Sequence, residues 1–210
     1  MAALVGIAGG TGSGKSTLAT RLTRVLGSEA CALVTQDSYY RDLSRFPYEE
    51  RREVNFDHPE SIDSGLLASH LKALKSGEPV ERPVYDFSRH IRSSGGEVLQ
   101  PAPVVIVEGI LVFVWPEVFA QLDVAIFVDT PADIRLARRV RRDIKERGRE
   151  VTGVLDQYLA TVRTMHEMYV EPSRGKADLI VPGFGDNRVI VDTLARSLRS
   201  LAREHAQASS

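Results

Sequence analysis

Gly9-Gly10-Thr11-Gly12-Ser13-Gly14-Lys15-Ser16 decides the fold. The octapeptide fits G-x-x-x-x-G-K-[ST], a pattern that carries weight only between a strand and a helix. Both are legible here. Leu4-Val5-Gly6-Ile7-Ala8 reads as a short buried strand, and Lys15 to Leu26 as a helix with Leu18, Leu22, Val25 and Leu26 on one face and Gly27 at its end. Strand, glycine loop and helix together make a phosphate cradle. Glycines let backbone N–H groups turn inward, and the helix N-terminus adds partial positive charge. Lys15 reaches the β- and γ-phosphates, and the Ser16 hydroxyl is a ligand for Mg²⁺. The expected triphosphate site is Gly9, Gly10, Thr11, Gly12, Ser13, Gly14, Lys15, Ser16 and Thr17.

Outward from the loop, apolar runs of strand length recur at Ala30 to Thr35, Val104 to Val107, Val124 to Val128 and Leu179 to Val181. Such β-branched runs belong to sheets covered on both faces. Helical patterns separate most of them: Ile62 to Ser76 with Leu66, Leu67, Leu71 and Leu74 on one side, Ile134 to Glu146, Val154 to Tyr169, and Arg188 to Ala206. This alternation predicts an α/β domain with a parallel sheet and right-handed crossovers. Ile110 to Trp115 reads as core. Val80 to Gln100, with Pro83, Gly95 and Gly96, breaks the alternation and reads as a β-hairpin lobe inserted in a single domain over 1–210. Gln207 to Ser210 reads as a frayed tail.

Composition narrows the class. A chain of 210 residues with 43% hydrophobic and 26% charged residues is neither disordered nor fibrous. A lone cysteine, Cys31, excludes a disulfide scaffold and fits a reducing compartment. Met1 to Ala8 carries no Lys or Arg, so no secretory leader is expected. Val104 to Trp115 is interrupted by Glu108 and falls short of a roughly 20-residue membrane span. A cytoplasmic protein without membrane partners is the expectation. Net charge is −1, yet Arg135 to Arg149 holds eight cationic side chains against Asp143 and Glu146, a local +6. An anion belongs near that segment, while the overall balance argues against nucleic acid as a partner.

A phosphate loop alone does not choose between kinase, GTPase and motor. Guanine-specific GTPases read the base with Asn-Lys-x-Asp. Here the only asparagines, Asn55 and Asn187, are not followed by Lys, and no Asp-x-x-Gly occurs. Val104-Val105-Ile106-Val107-Glu108 ends an apolar strand on a carboxylate, which resembles a Walker-B arrangement and puts Glu108 toward Mg²⁺.

Further stretches then line up in order: Thr35-Gln36-Asp37-Ser38-Tyr39-Tyr40-Arg41, Asn55-Phe56-Asp57-His58-Pro59-Glu60, Pro83-Val84-Tyr85-Asp86-Phe87-Ser88-Arg89-His90, Glu108-Gly109-Ile110-Leu111 and Arg142-Asp143-Ile144-Lys145-Glu146-Arg147-Gly148-Arg149. With the phosphate loop, this ordered set resembles the uridine kinase (uridine–cytidine kinase) family from about Val5 to Asn187. The resemblance implies a P-loop fold like the nucleoside monophosphate kinases: a five-stranded parallel sheet flanked by helices, the β-hairpin lobe, and an arginine-rich helical lid over about 133–153. It implies Mg²⁺-dependent phosphorylation of uridine and cytidine to UMP and CMP with ATP or GTP as donor, a homotetramer, and feedback by UTP or CTP.

The resemblance also implies roles. Asp37 matches the carboxylate that accepts the proton of the 5′-hydroxyl, and with Ser16 and Glu108 it forms the metal site. Asp57 matches the residue whose two oxygens span neighbouring ribose hydroxyls, and Arg139 one that also touches the ribose. Tyr40 belongs to the same set, and Phe56, Tyr85 and Phe87 offer aromatic surface to the base. His90, Arg149 and Gln157 match residues that read the pyrimidine edge. A family variant with Tyr at the position of His90 favours cytidine, so His90 implies use of both nucleosides. The lid helix reads as arginine on one face (Arg135, Arg139, Arg142, Arg149), an apolar stripe of Leu136, Val140 and Ile144 packed inward on another, and a loosened end at Gly148. Arg142 and Arg147 are the expected γ-phosphate contacts, catalytic together with Lys15 and Asp37. Family members often carry Arg after the last strand's Pro; here Gly183-Phe184-Gly185-Asp186-Asn187 follows Pro182, which leaves ATP against GTP open. Phosphoribulokinase-like and pantothenate kinase-like enzymes share the loop but have no need of aromatics around a flat base. A nucleotide-binding regulatory protein without turnover has no need of the intact set Lys15, Ser16, Asp37 and Glu108.

Overall fold

The computed structural model describes residues 1–208. In chain order the main elements are β1 (Ala3–Ala8), α1 (Lys15–Leu26), β2 (Cys31–Thr35), α2 (Tyr48–Arg52), α3 (Ser64–Lys75), β3 (Val80–Asp86), β4 (Ile91–Leu99), β5 (Val104–Glu108), α4 (Pro116–Phe119), β6 (Val124–Asp129), α5 (Ala132–Arg147), α6 (Val151–Gln157), β7 (Leu179–Pro182) and a C-terminal helix (Arg188–Ala208). Five strands form one sheet in the order β2-β5-β1-β6-β7, every pairing parallel, and β3 pairs antiparallel with β4 as the expected hairpin. Strands β1 and β5 each have neighbours on both sides and are buried at every position, which is why they read as unbroken apolar runs.

Side-chain alternation along β1 divides the core in two. Ala3, Val5 and Ile7 face Leu18, Leu22 and Leu26 of α1 and Val191, Leu194 and Leu198 of the C-terminal helix. Leu4 and Ala8 face the opposite layer, where Leu67, Leu71 and Leu74 of α3 meet Leu111 and Phe113, the latter two from the stretch expected as core. Each such leucine contributes about 1.5–3 kcal/mol through burial. Helix α3 starts where Asp63 caps it, its carboxylate accepting from Leu66 N at 3.2 Å, so Ile62 lies outside the helix and is buried separately.

Three expectations are corrected. The inward face of α5 is Arg135, Arg139 and Asp143; Leu136 and Val140 are half-buried and Ile144 is exposed. The reason is the neighbour. Helix α5 lies against polar partners: Thr130 O accepts from Arg135 Nε at 3.0 Å, Thr11 Oγ1 of the phosphate loop accepts from Arg139 Nη1 at 3.3 Å, and Asp143 faces arginines. Apolar side chains there would leave buried polar groups unpaired. Gly148, at φ 61°, ends the helix, so Arg149 stands beyond it. The pattern expected over Val154 to Tyr169 is longer: α6 runs on through a π-helical stretch Tyr158–Val162, a turn Arg163–Met165, a second π-helical stretch His166–Val170, and short turns to Lys176. The C-terminal helix includes Gln207 and Ala208, read as tail from the sequence; the rest of that tail lies outside the described residues. Among the described residues no helix is long and apolar enough to cross a membrane.

Candidate active site

The phosphate loop leaves the carboxyl end of β1, with β5 on one side and β6 on the other, so it opens at the point where the chain connections diverge, the usual crevice of such sheets. Gly12 has φ +74°, and a Cβ there would collide with the backbone of Arg135. The loop is buttressed from outside: Thr130 Oγ1 donates to Ser13 O at 2.9 Å, and Arg138 Nη1 reaches Ser13 O at 3.4 Å and Gly183 O at 2.8 Å. The loop after Pro182 thus packs directly against the cradle. No side chain caps the start of α1, so its first N–H groups are left for an anion.

Beside the loop lies the acidic cluster. Ser16 Oγ donates to Glu108 Oε2 at 3.0 Å. Glu108 is 5% exposed, and burial raises its carboxyl above the usual range, with Asp37 adding to the effect and Lys15 opposing it. Asp37 stands in a 3₁₀ turn, Gln36–Tyr39, directly after β2. Gln36 pins that turn, its Oε1 accepting from Leu111 N at 2.7 Å past the end of β5. Desolvation in the cleft also raises Asp57, against the opposing charge of Arg139, and Asp37 pushes it further.

The cleft itself holds about 700 Å³. It is lined by Thr11, Lys15 and Asp37, by Tyr40, Phe56, Asp57, Tyr85, Phe87 and His90, and by Arg139, Arg142 and Arg147 of α5, Arg149 of the turn after it and Gln157 of α6. The expected substrate residues therefore meet in one space, while Ser16 and Glu108 sit beside it. Tyr40 is the centre of the aromatic group, 5.3 Å from Phe56 and 5.2 Å from Tyr85 between ring centroids. His90 stacks on Phe56 at 4.9 Å and 20°, held by a left-handed backbone at φ 54°. Burial, with Arg52 and Arg51 nearby, lowers its pKa, so the ring is neutral near pH 7. The Tyr85 hydroxyl is buried with no partner among the described residues, and burial pushes its pKa up to about 12.

The arginines are held by two acceptors. Gln157 Oε1 accepts from Arg139 Nη2 at 2.9 Å and Arg149 Nη1 at 2.7 Å, and Asp143 Oδ1 accepts from Arg142 Nε at 2.9 Å. Arg147 lies over the ring of Phe87 at 5.4 Å, joining α5 to the hairpin. Sequence reasoning missed Tyr48, Arg52, Ser88, Ile110 and Glu146, which also border the cleft. Helix α2 is too short and polar for periodicity to reveal. Ser88 is set by a turn in which Asp86 Oδ1 accepts from Ser88 N at 2.8 Å and Arg89 N at 3.1 Å, a signal readable in Asp-x-Ser.

Comparison with known proteins agrees with this geometry. A family model described as "Phosphoribulokinase / Uridine kinase family" matches residues 4–190. Uridine kinase of Alkaliphilus metalliredigens is 45% identical over 202 residues, covering 96% of this chain and 97% of that one. Uridine kinase of Clostridium botulinum strain Okra is 47% identical over 201 residues, covering 96% and 98%. Among solved structures, phosphoribulokinase from Rhodobacter spheroides superposes with a TM-score of 0.63 at 12% identity, covering 86% of this chain and 70% of that one. D-glycerate 3-kinase from Cryptococcus neoformans gives 0.60 at 18%, covering 87% and 86%. The two structural likenesses speak for the fold alone. The match over nearly the whole length, on a phosphate loop that opens into an arginine-closed cleft, means that the chain belongs to the phosphoribulokinase / uridine kinase family.

Proposed function

We propose that this protein transfers the terminal phosphoryl group of a purine nucleoside triphosphate to the 5′-hydroxyl of uridine and cytidine, giving UMP and CMP. One observation carries the reading: a single cleft joins Thr11 and Lys15 of the phosphate loop to a pocket of Tyr40, Phe56, Tyr85, Phe87 and His90. A flat base has partners there, whereas a sugar phosphate or pantothenate has no use for them, which disfavours those alternatives.

Phosphoryl transfer needs alignment and charge neutralisation more than covalent chemistry. Asp37 accepts the proton of the 5′-hydroxyl, and Lys15, Arg142 and Arg147 neutralise the phosphate oxygens. Asp57 and Arg139 hold the ribose. Gln157 has its oxygen taken by two guanidinium groups, which only donate, so its amide nitrogen faces the base as a donor. The neutral His90 donates through one nitrogen and accepts through the other, which suits both uracil and cytosine edges. Ser16 and Glu108, oxygen donors 3.0 Å apart with Asp37 close enough to perturb Glu108, fit Mg²⁺, which takes few protein oxygens and completes its shell with phosphate and water. When bound, it adds positive charge at the β- and γ-phosphates. Closure of α5 and the turn after it excludes water from the transfer. The resemblance to uridine kinases supports a cytoplasmic homotetramer, and exposed Leu179 and Ile180 on edge strand β7 offer apolar surface for assembly.

The test measures ADP release from Mg·ATP with uridine, cytidine, deoxyuridine, pantothenate or ribulose 5-phosphate. Release with uridine and cytidine is expected, with deoxyuridine poor because Asp57 loses a hydroxyl. Release with pantothenate or ribulose 5-phosphate alone would overturn the reading.

A further inference from the structure

Asp143 has no exposed side-chain surface, yet four guanidinium groups close on it. Its two oxygens divide them. Oδ1 faces Arg142 at 2.8 Å and Arg147 at 3.9 Å, the pair assigned to the phosphate. Oδ2 faces Arg149 at 3.3 Å and Arg139 at 3.8 Å, the pair assigned to the nucleoside. Its backbone carbonyl accepts from Gly148 N and from Arg149 N, fixing the turn that carries the last arginine back toward the cleft. All four arginines border the cleft, and Asp143 does not.

We propose that Asp143 is the positioning residue of this enzyme's lid, a single buried carboxylate that fixes the phosphate-facing and nucleoside-facing arginines relative to each other before ligands arrive. The inference rests on the reading of the cleft as a phosphoryl-transfer site. Four like charges around one opening repel, and long guanidinium stems have much rotamer freedom to lose. A shared carboxylate opposes both effects, and burying it is tolerable only while several donors surround it, so carboxylate and arginines hold each other. One negative against four positive charges leaves a surplus to meet the triphosphate. Because the two oxygens serve the two substrates separately, a shift at Asp143 misaligns donor and acceptor together, and phosphoryl transfer is sensitive to such alignment.

Asp143→Asn separates positioning from attraction. The isosteric amide turns an N–H toward a guanidinium and adds one net positive charge to the lid. The expected result is a kcat 10- to 100-fold lower, with calorimetric Kd for Mg·ATP within threefold of the parent or tighter. A kcat within threefold of the parent overturns the proposal. So does a folded variant whose Mg·ATP affinity falls in parallel with kcat, the signature of a collapsed lid. A second measurement needs no variant. In the parent protein without ligand, the Arg142 Nε–H resonance is expected to be narrow and slow to exchange with solvent; a solvent-averaged signal overturns preorganisation. A parent protein that binds Mg·ATP but phosphorylates neither uridine nor cytidine would remove the nucleoside reading alone, and the Arg142 resonance would still judge Asp143.

Discussion

At the scale of single residues, charge and protonation decide what the site can do. The charge of Asp37 helps to raise both Glu108 and Asp57, so it lies near both the acid proposed for the metal and the acid proposed for the ribose. Asp37→Asn is expected to lower kcat at least 100-fold while uridine binding, read by calorimetry, stays within a few-fold; near-normal turnover would remove it from the mechanism. Glu108 carries a raised pKa, so protons compete for it above the ordinary carboxylate range near 4.3. Mg²⁺ requirement should therefore rise as pH falls from 7 toward 5, and Glu108→Gln should flatten that dependence. His90 has a lowered pKa and is neutral until the pH drops below its ordinary value near 6.5. Once protonated it only donates, which suits the 4-oxo group of uracil and opposes the 4-amino group of cytosine. The uridine-to-cytidine ratio of kcat/KM is expected to climb on acidification below pH 6.5 in the parent and to stay flat in His90→Gln; the same climb in both proteins would separate His90 from base selection. Asp37, Glu108 and His90 were all legible in the sequence, because each stands in a short motif or at a strand end. Asp143 reads there as a negative charge in a basic run and as one member of the Arg142 to Arg149 motif. Its i,i+4 spacing to Arg139 and Arg147 was legible, but its complete burial and the return of Arg149 beyond Gly148 were not.

At the scale of elements, the helices that cover the sheet and the helix that covers the site obey different rules. Leu67, Leu71 and Leu74 of α3 are completely buried against the sheet. Leu71→Ala should cost about 2–5 kcal/mol, a loss that appears as a melting temperature lower by roughly 5–15 °C. Their spacing announced the helix and its buried side in advance. In α5 the same spacing announced the helix but pointed the wrong way, because Leu136, Val140 and Ile144 were assumed to seek the interior while the partners at that place are polar: Thr130 O, Thr11 Oγ1 and Gln157 Oε1. The hairpin was legible from its prolines and glycines, but its tie to α5 was not. That tie is Arg147 over Phe87, an exposed ring at the edge of the cleft. Phe87→Ala is expected to raise KM for uridine several-fold with a smaller effect on kcat, measured in the ADP-release assay. Equal losses in both parameters would place Phe87 in the transferring step instead.

At the scale of the whole molecule, the central position of β1 explains why the site lies where it does: crossovers leave to both sides and part above its carboxyl end. The sheet order could be anticipated only as a class, since apolar runs name strands but not their neighbours. The same burial that makes the sheet rigid shields Cys31, whose thiol is raised by desolvation. Thiol labelling of the folded protein should be slow and should follow global unfolding, so rapid labelling under native conditions would contradict the packing described.

The first π-helical stretch after α6, Tyr158–Val162, carries a consequence of its own. Gln157 and His166 are nine residues apart, which in an ordinary α-helix is about two and a half turns and puts them on opposite sides. Yet both reach the same partner helix, Gln157 through Arg139 and His166 through Arg135 at 3.1 Å. The widened turn Tyr158–Val162 lies between them and takes up part of that angular mismatch, so both side chains meet α5. Removing one residue inside that turn would rotate His166 relative to Gln157 and cost Arg135 or Arg139 one of its hydrogen bonds, leaving Arg135 on Thr130 O and Arg139 on Thr11 Oγ1.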